Sequence, residues 1–179
     1  MQEKNRNKKL YFMDIALRTS TLSTCIKKEV GAVLVMNNRI LSTGYNGAPS
    51  KIEHCSRETC LRKIDLDNKN SELCRGVHAE VNTLIQCAIH GTKIGKTSKM
   101  YCTHFPCMNC TKLIINAGIK EIIFKFDYEM DNIEKFKLLV ESKTKVTKCD
   151  ETYFYNFNVE HNLKILTMLK NKEEEICQK

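Results

Sequence analysis

Residues 100–126, MYCTHFPCMNCTKLIINAGIKEIIFKF, hold a short apolar strand, a helix and a second apolar strand in close succession. The strands are predicted at 100–103 and 121–126, and the helix at 107–117, where Gly118 ends it. Strands that alternate with helices predict a sheet that is covered by helices. This stretch therefore predicts an α/β sandwich.

The segments on either side continue the alternation. Upstream, apolar spacing predicts a helix over 11–24, a hairpin with strands at 30–36 and 40–45, and a helix over 78–90. Downstream, it predicts a helix over 133–140, a strand near Val146 and a terminal helix over 159–169. The residues between 50 and 77 are polar, and a long stretch without secondary structure is uncommon unless something holds it in place.

The composition is that of one globular domain: of 179 residues, 42% are hydrophobic and 28% are charged, with two prolines and seven glycines. These values exclude a disordered chain, collagen and a membrane span of roughly 20 apolar residues. We expect a flexible basic arm over 1–10 and a single domain over 11–179, with a core at 25–128 and a C-terminal extension at 129–179. Residues 10–17 are apolar but carry Asp14 and no cleavage site, so a cytoplasmic location is expected.

The ten cysteines are too many to be structural disulfides in a reducing cytoplasm, so some of them are expected to bind metal or to take part in chemistry. Their grouping must decide which. The net charge of +8 predicts attraction to phosphate-bearing partners, but it does not distinguish nucleotides, nucleic acid and acidic lipid.

Two motifs together have the composition of a catalytic zinc site. They are residues 78–80 (HAE) and 106–110 (PCMNC), the signature of zinc nucleobase deaminases. His78, Cys107 and Cys110 would supply three tetrahedral ligands and leave a fourth position for water. Glu80 would lie beside the metal and carry a proton to a leaving amine, which is hydrolytic deamination. The alternatives are a structural zinc site closed by a fourth ligand, or cysteines packed as small hydrophobic residues.

Further motifs extend this signature over about two thirds of the chain. They are residues 30–33 (VGAV), 42–47 (STGYNG), 54–55 (HC), 76–82 (GVHAEVN), 103–107 (THFPC) and 114–119 (IINAGI). With them, residues 11–128 resemble the deoxycytidylate (dCMP) deaminase family, in the branch of competence-operon protein 2 within the cytidine deaminase-like superfamily. A tRNA adenosine deaminase would share the zinc motifs but would usually lack the Gly-Tyr-Asn-Gly turn and the cysteine-bearing insertion after it.

The resemblance implies a three-layer α/β/α sandwich with a mixed sheet of about five strands. It also implies zinc-dependent hydrolysis of dCMP to dUMP and ammonia, which supplies dUMP for thymidylate synthesis. In the family pattern Glu80 is the proton shuttle, Asn46 contacts the substrate sugar, and the backbone of Ala79 and of Phe105 contacts the cytosine edge. Asn-Gly is also a common hairpin turn, so a purely structural role of Asn46 stays open.

Some members of this family carry a second, structural zinc, and by that resemblance Cys25 and Cys55 are candidate ligands. We infer Cys60 and Cys74 as the other two, with His54 as a substitute. Such a closed site would order the polar segment before residue 78. The alternative is that these cysteines are unrelated free thiols on a loop.

Members of the family are often homohexamers that dCTP activates and dTTP inhibits near the Gly-Tyr-Asn-Gly turn. Lys27 and Gly47 are therefore possible effector contacts, although a solvated surface lysine is an equal alternative for Lys27. Glu129 stands where many regulated relatives have a basic residue, which argues against triphosphate control. We expect a homo-oligomer that has neither a membrane nor nucleic acid as its partner.

Two other functions compete with dCMP deamination. One is deamination of another cytosine compound or of a base in RNA. The other is a non-catalytic zinc module that binds nucleic acid, which the basic charge favours. Glu80 would have no task in such a module, and the sequence lacks the interleaved arginine and aromatic residues of a stacking platform.

Overall fold

The computed structural model describes residues 7–62, 73–150 and 153–177. The first six residues of the predicted arm lie outside these ranges. Within them the chain forms helices and strands in the order α1 (Lys8–Ser20), β1 (Gly31–Met36), β2 (Arg39–Tyr45), α2 (Ala79–Ile89), β3 (Lys99–His104), α3 (Met108–Asn116), β4 (Glu121–Phe126), α4 (Ile133–Glu141), β5 (Lys145–Asp150), β6 (Tyr153–Asn156) and α5 (Val159–Cys177).

The strands form one mixed sheet in the order β2-β1-β3-β4-β5-β6. Strands β3, β4 and β5 run parallel to one another, whereas the β1–β2, β1–β3 and β5–β6 pairs are antiparallel. The predicted α/β fold with a mixed sheet is confirmed. The sequence did not predict strand β6. A run of four residues shows too little alternation of apolar and polar side chains to indicate a strand.

Helices cover both faces of the sheet, as predicted. Side chains alternate between the two faces along a strand. Ala32 and Leu34 of β1 face a core that includes residues of α2, α3 and α4, whereas Val33 and Val35 pack with residues of α1. Among the described residues, no helix is long and apolar enough to cross a bilayer.

The hairpin of β1 and β2 turns at Asn37 and Asn38, where the sequence predicted it. Both residues have positive φ, 51° and 60°. Two-residue hairpin turns favour this backbone region because its twist matches that of the strands, and asparagine tolerates it better than most residues. The Asn-Asn turn thus sets the pairing next to it, Met36 with Arg39, and the register shifts between Leu34 and Val35.

Helix α1 begins at Lys8, inside the arm predicted over residues 1–10. The side chain of Asn7 accepts hydrogen bonds from the backbone N–H groups of Lys9 (3.1 Å) and Leu10 (3.4 Å). This cap satisfies N–H groups that would otherwise have no partner, so the helix begins before its first buried residue. The helix therefore begins three residues before its predicted start at residue 11.

Candidate active site

The N-termini of α2 and α3 lie side by side. Each begins after an extended residue, His78 before α2 and Cys107 before α3. Nδ1 of His78 lies 3.4 Å from Sγ of Cys107 and 3.4 Å from Sγ of Cys110. The structure thus brings together the three side chains that the sequence predicted as ligands of one metal.

Helix α2 is held in place by the segment that contains the Gly-Tyr-Asn-Gly turn. Gly47 and Val77 exchange two backbone hydrogen bonds, of 3.1 and 2.7 Å, directly before His78. A Cβ atom on Gly44 would lie 2.4 Å from the carbonyl oxygen of Ala79 and 2.5 Å from the amide nitrogen of Thr83. The backbones of β2 and α2 therefore touch, and only glycine fits at residue 44.

The three donors suit zinc. An imidazole nitrogen and two cysteine sulfurs are ligands that zinc prefers, and at the usual bond lengths a tetrahedral site separates nitrogen from sulfur by about 3.6 Å. The separations of 3.4 Å between Nδ1 of His78 and the two sulfurs agree with that value. Ligand atoms of His78, Cys107 and Cys110 all lie within 4.8 Å of one another. No other three His, Cys, Asp or Glu side chains among the described residues come this close.

The local electrostatics favour a thiolate at this site. A hydrogen bond from Cys110, together with one from His78, lowers the pKa of Cys107 to about 4. The same hydrogen bond and burial raise the pKa of Cys110, and the bond to Cys107 raises the pKa of His78. These interactions favour the thiolate form of Cys107, which is the form that binds a metal cation.

Glu80 lies in the first turn of α2 and lines the same pocket as His78. It is only 4% exposed, and this burial raises the pKa of its carboxyl group. It is not one of the three residues whose ligand atoms cluster. A buried carboxyl group beside the metal ligands, but outside their cluster, has the placement required of a proton carrier.

The pocket in front of these residues has a volume of about 340 Å³. Its lining includes every other residue that the sequence predicted to contact substrate or effector: Lys27, Asn46, Gly47, Ala79 and Phe105. Ala79 and Phe105 are 0% and 1% exposed, so they belong to the packed wall of the pocket. The cavity is large enough for a small ligand of nucleotide size.

The side chain of Asn46 is tied to the residues that precede β1. Its Oδ1 accepts hydrogen bonds from Oγ of Ser23 (2.6 Å) and from the backbone N–H of Val30 (2.9 Å). Its Nδ2 donates to the carbonyl oxygen of Lys28 at 2.8 Å. These bonds use both lone pairs of the oxygen but only one of the two N–H groups. Within the described ranges, Asn46 therefore has a structural role and one N–H donor without a partner.

The four cysteines predicted to bind a second zinc also line this pocket: Cys25, Cys55, Cys60 and Cys74. Within the described ranges, no three of these four sulfur atoms lie within 4.8 Å of one another, unlike the ligand atoms of His78, Cys107 and Cys110. His54, the predicted substitute, is exposed and is not part of the pocket lining. The second zinc stays a prediction.

The pocket residues that the sequence did not single out include Lys28, Arg62 and Tyr128. Nζ of Lys28 lies 4.2 Å from the centroid of the Tyr128 ring, which places a cation over an aromatic face. Burial, and to a lesser degree Lys28, lower the pKa of the neighbouring His104 to about 4, so His104 is neutral at pH 7. The signal for Lys28 was its adjacency to Lys27, and that for Tyr128 its position two residues after the end of strand β4.

Glu129 has a structural task at the metal site. Its Oε2 accepts a hydrogen bond of 3.3 Å from the backbone N–H of Met108, the first residue of α3. Its own backbone has a positive φ of 46°. A carboxylate at a helix N-terminus interacts favourably with the helix dipole. Glu129 thus connects the turn after β4 to the helix that carries Cys110.

Comparison with known proteins places this site in a family. Residues 6–126 match the family model for the "Cytidine and deoxycytidylate deaminase zinc-binding region". The chain is 36% identical over 129 residues to the deoxycytidylate deaminase of Saccharomyces cerevisiae, covering 72% of this chain and 40% of that protein. It is 37% identical over 119 residues to ComE operon protein 2 of Bacillus subtilis, covering 66% and 59%. The aligned region thus spans two fifths to three fifths of the length of these two relatives.

A solved structure is similar over most of the chain. The dCMP deaminase from the cyanophage S-TIM5, in complex with dCMP and dUMP, aligns with a TM-score of 0.66 and 31% identity. The alignment covers 83% of this chain and 100% of that chain. These matches confirm the resemblance that the motifs indicated, and the family-model match includes His78, Glu80 and both cysteine ligands. The chain belongs to the cytidine and deoxycytidylate deaminase family.

Proposed function

We propose that this protein hydrolyses dCMP to dUMP and ammonia at the zinc site, and so supplies dUMP for thymidylate synthesis. The observation that carries the proposal is the buried carboxyl group of Glu80 beside three zinc-type donors in a pocket of about 340 Å³. The relatives named deoxycytidylate deaminase and the cyanophage enzyme with dCMP and dUMP support the same reaction.

In this proposal His78, Cys107 and Cys110 hold the zinc ion, which when bound supplies a water-derived nucleophile near neutral pH. Glu80 accepts the proton of the attacking water and passes it to the ring nitrogen N3 of cytosine. Glu80 then transfers the second water proton to the exocyclic amine. The C4–O bond forms, the C4–N bond breaks, and ammonia leaves, so every proton that leaves the water is accounted for.

The base and sugar are held by pocket residues. In the proposed complex, backbone groups of Ala79 and Phe105 contact the cytosine edge; the support is that both residues line the pocket. The remaining N–H group of the Asn46 amide is available to a sugar hydroxyl group, since its other hydrogen bonds are made within the protein. Asn46 thus combines the structural and the binding roles that the sequence left open.

The charges around the pocket favour a substrate with a phosphate group. Lys27, Lys28 and Arg62 line it, and Glu80 is the only carboxylate among the described lining residues. An anionic phosphate is attracted to this group of cations, and a neutral nucleoside gains nothing from it. The proposal therefore favours dCMP over deoxycytidine as the substrate.

Replacement of the proton carrier tests the proposed chemistry. Glu80→Gln keeps the shape of the side chain but cannot accept a proton, so ammonia release from dCMP should fall by about 100- to 10,000-fold. Zinc content, measured by metal analysis, should not change. Glu53→Gln, at an exposed glutamate, is the matched control. A Glu80→Gln variant that retains full activity would contradict the assignment.

We also propose a second, structural zinc held by Cys25, Cys55, Cys60 and Cys74. Its support is that all four cysteines line one pocket and that the polar segment around them has few apolar residues to order it. Metal analysis should find close to two zinc ions per chain, and Cys55→Ser should remove one of them. A single zinc per chain that Cys55→Ser leaves unchanged would exclude this site.

The remaining proposals concern assembly and control. We propose a cytoplasmic homo-oligomer, of which the homohexamer is the form typical of the family, to be tested by light scattering of the purified protein. Lys27 and Gly47 are the proposed effector contacts for dCTP and dTTP, and both line the pocket. The carboxylate of Glu129 accepts a hydrogen bond from the first residue of α3. A side chain engaged in this way argues against control by dCTP and dTTP. A dCMP rate curve that dCTP does not shift would show that this control is absent.

A further inference from the structure

Lys135 is a buried lysine at a position where packing alone would favour an apolar residue. It lies on α4 between core positions and is 0% exposed. Among the described residues, no carboxylate oxygen lies within 4.0 Å of its ammonium group. Burial lowers its pKa to about 8. Removing a lysine ammonium from water is costly, so its contacts must explain its presence.

The ammonium group joins two segments that both line the pocket. Nζ of Lys135 donates a hydrogen bond of 3.1 Å to the carbonyl oxygen of Tyr128. It also lies 4.5 Å from the centroid of the Phe105 ring, within range of a cation–π interaction. Phe105 and Tyr128 belong to different connections, the one after β3 and the one after β4. Lys135 therefore contacts two pocket walls from behind.

Both contacts lead directly to the metal ligands and the substrate pocket. Phe105 precedes Pro106 and Cys107 in the chain, and its ring stacks on Phe124 at 4.5 Å on the core side. Tyr128 precedes Glu129, whose carboxylate binds the first N–H group of α3. A displacement of either segment would move the start of α3 relative to His78.

We propose that Lys135 is a positioning residue that holds Phe105 and Tyr128 in place relative to each other. It thereby fixes the pocket wall and the start of α3, the helix that carries Cys110. It touches neither the metal ligands nor the reacting atoms. Its effect on catalysis rests on the proposed function, whereas its effect on the metal site does not.

The test compares four variants on α4 by steady-state kinetics with dCMP and by the rate of zinc transfer to a chelator. Lys135→Met keeps the length and the apolar stem of the side chain but removes the ammonium group. Lys137→Met makes the same change at an exposed lysine, and Leu139→Val reduces a core residue one turn away on the same helix. Lys135→Arg restores a cation and N–H donors.

We expect Lys135→Met to lower kcat/KM by about tenfold, mainly through kcat, because misplaced pocket groups raise the barrier more than they weaken binding. Zinc should transfer to the chelator several-fold faster, and Lys135→Arg should restore part of both values. Lys137→Met and Leu139→Val should keep wild-type kinetics and zinc transfer, although Leu139→Val is less stable.

Wild-type kinetics and wild-type zinc transfer in Lys135→Met would overturn the proposal. Failure of both Lys135→Met and Lys135→Arg to fold would assign the residue to folding alone and would overturn it as well. If the wild-type protein does not turn over dCMP, the proposed function fails. The zinc-transfer comparison then still decides the role of Lys135.

Discussion

We predict that the Lys28 ammonium group, which lines the pocket and lies 4.2 Å from the centroid of the Tyr128 ring, contacts the substrate phosphate. Lys28→Met should raise the KM for dCMP by about tenfold, because one charge-assisted contact is lost. The KM for deoxycytidine, which has no phosphate, should not change. Lys112→Met, at an exposed lysine of α3, is the matched control. An equal effect on both substrates would show that Lys28 does not contact phosphate.

His104 makes a prediction about acid stability. Its pKa in the folded protein is lowered to about 4 by burial and Lys28, below the unfolded value of 6.5. Between these values the unfolded chain binds a proton that the folded chain does not, so stability falls as the pH falls from 6.5 to 4. The loss of unfolding free energy between pH 7 and pH 5 should be about 1 kcal/mol smaller in His104→Gln than in the wild type, after allowance for the partial exposure of His104.

Urea unfolding of the wild type and of His104→Gln at pH 7 and pH 5 measures this difference. The variant should lose less stability than the wild type between the two pH values. A parallel loss in both proteins would mean that His104 is protonated in the folded state. His90→Gln, at an exposed histidine, is the control.

The side chains of the metal site were predictable because their chemistry requires particular residue types at particular spacings. His78, Cys107 and Cys110 were assigned from two short motifs, and the structure brings their ligand atoms within 4.8 Å of one another. Lys135 was not predictable, since a lysine in a helix with mixed polarity usually faces solvent. Only the packing of α4 against the Phe105 segment shows that it is buried.

The contact between β2 and α2 at Gly44 positions the helix that carries Glu80. Gly44→Ala would place a methyl group 2.4 Å from a backbone oxygen, and neither backbone can yield without moving α2. We expect a loss of about 2 kcal/mol or more in unfolding free energy and weaker zinc binding, because α2 would be displaced from α3. Thr43→Ala, exposed on the same strand, should change neither.

Urea unfolding and zinc titration with a competing chelator measure the two effects of Gly44→Ala. A variant with wild-type stability and wild-type zinc affinity would show that the close approach of these backbones is not needed. The same glycine belongs to the Ser-Thr-Gly-Tyr-Asn-Gly motif. The packing of α2 against β2 is thus a physical reason for glycine in that motif.

Most helices and strands were predictable because each has a clear apolar period and a clear stop signal. Strands β1 to β4 and helices α2 and α3 begin and end within two residues of their predicted positions. The terminal helix, predicted to end at residue 169, continues to Cys177. Two other differences arise where a single contact decides the outcome. The Asn7 cap begins α1 early, and β6 forms only because β5 offers it an edge to pair with.

The metal ligands come from segments that lie far apart in the chain but meet between α2 and α3. Zinc bound to the folded chain alone stabilises it in proportion to RT ln(1 + [Zn]/Kd), about 4 kcal/mol at a thousandfold excess over Kd. Removal of zinc by a chelator should therefore lower the midpoint of thermal unfolding by several degrees, and added zinc should restore it. An unchanged midpoint after complete removal of zinc would contradict a metal that joins α2 to α3.

The polar stretch before residue 78 is the part of the fold that the sequence left most open. Its low apolar content predicts no core of its own, and only its cysteines pointed to a way of ordering it. The structure places Cys55, Cys60 and Cys74 beside the pocket, so described residues of this stretch line it. The spacing of its cysteines does not reveal whether they bind a metal ion, so a measurement of metal content must decide this.

The activity of the purified zinc protein on dCMP tests the account most directly. The protein is incubated with equal concentrations of dCMP, CMP, deoxycytidine and a tRNA, and ammonia and the deaminated product are measured. We predict one dUMP and one ammonia per dCMP consumed, a higher kcat/KM for dCMP than for the other three, and loss of activity in Glu80→Gln. No turnover of dCMP by protein that contains zinc, or faster turnover of the tRNA, would contradict the account.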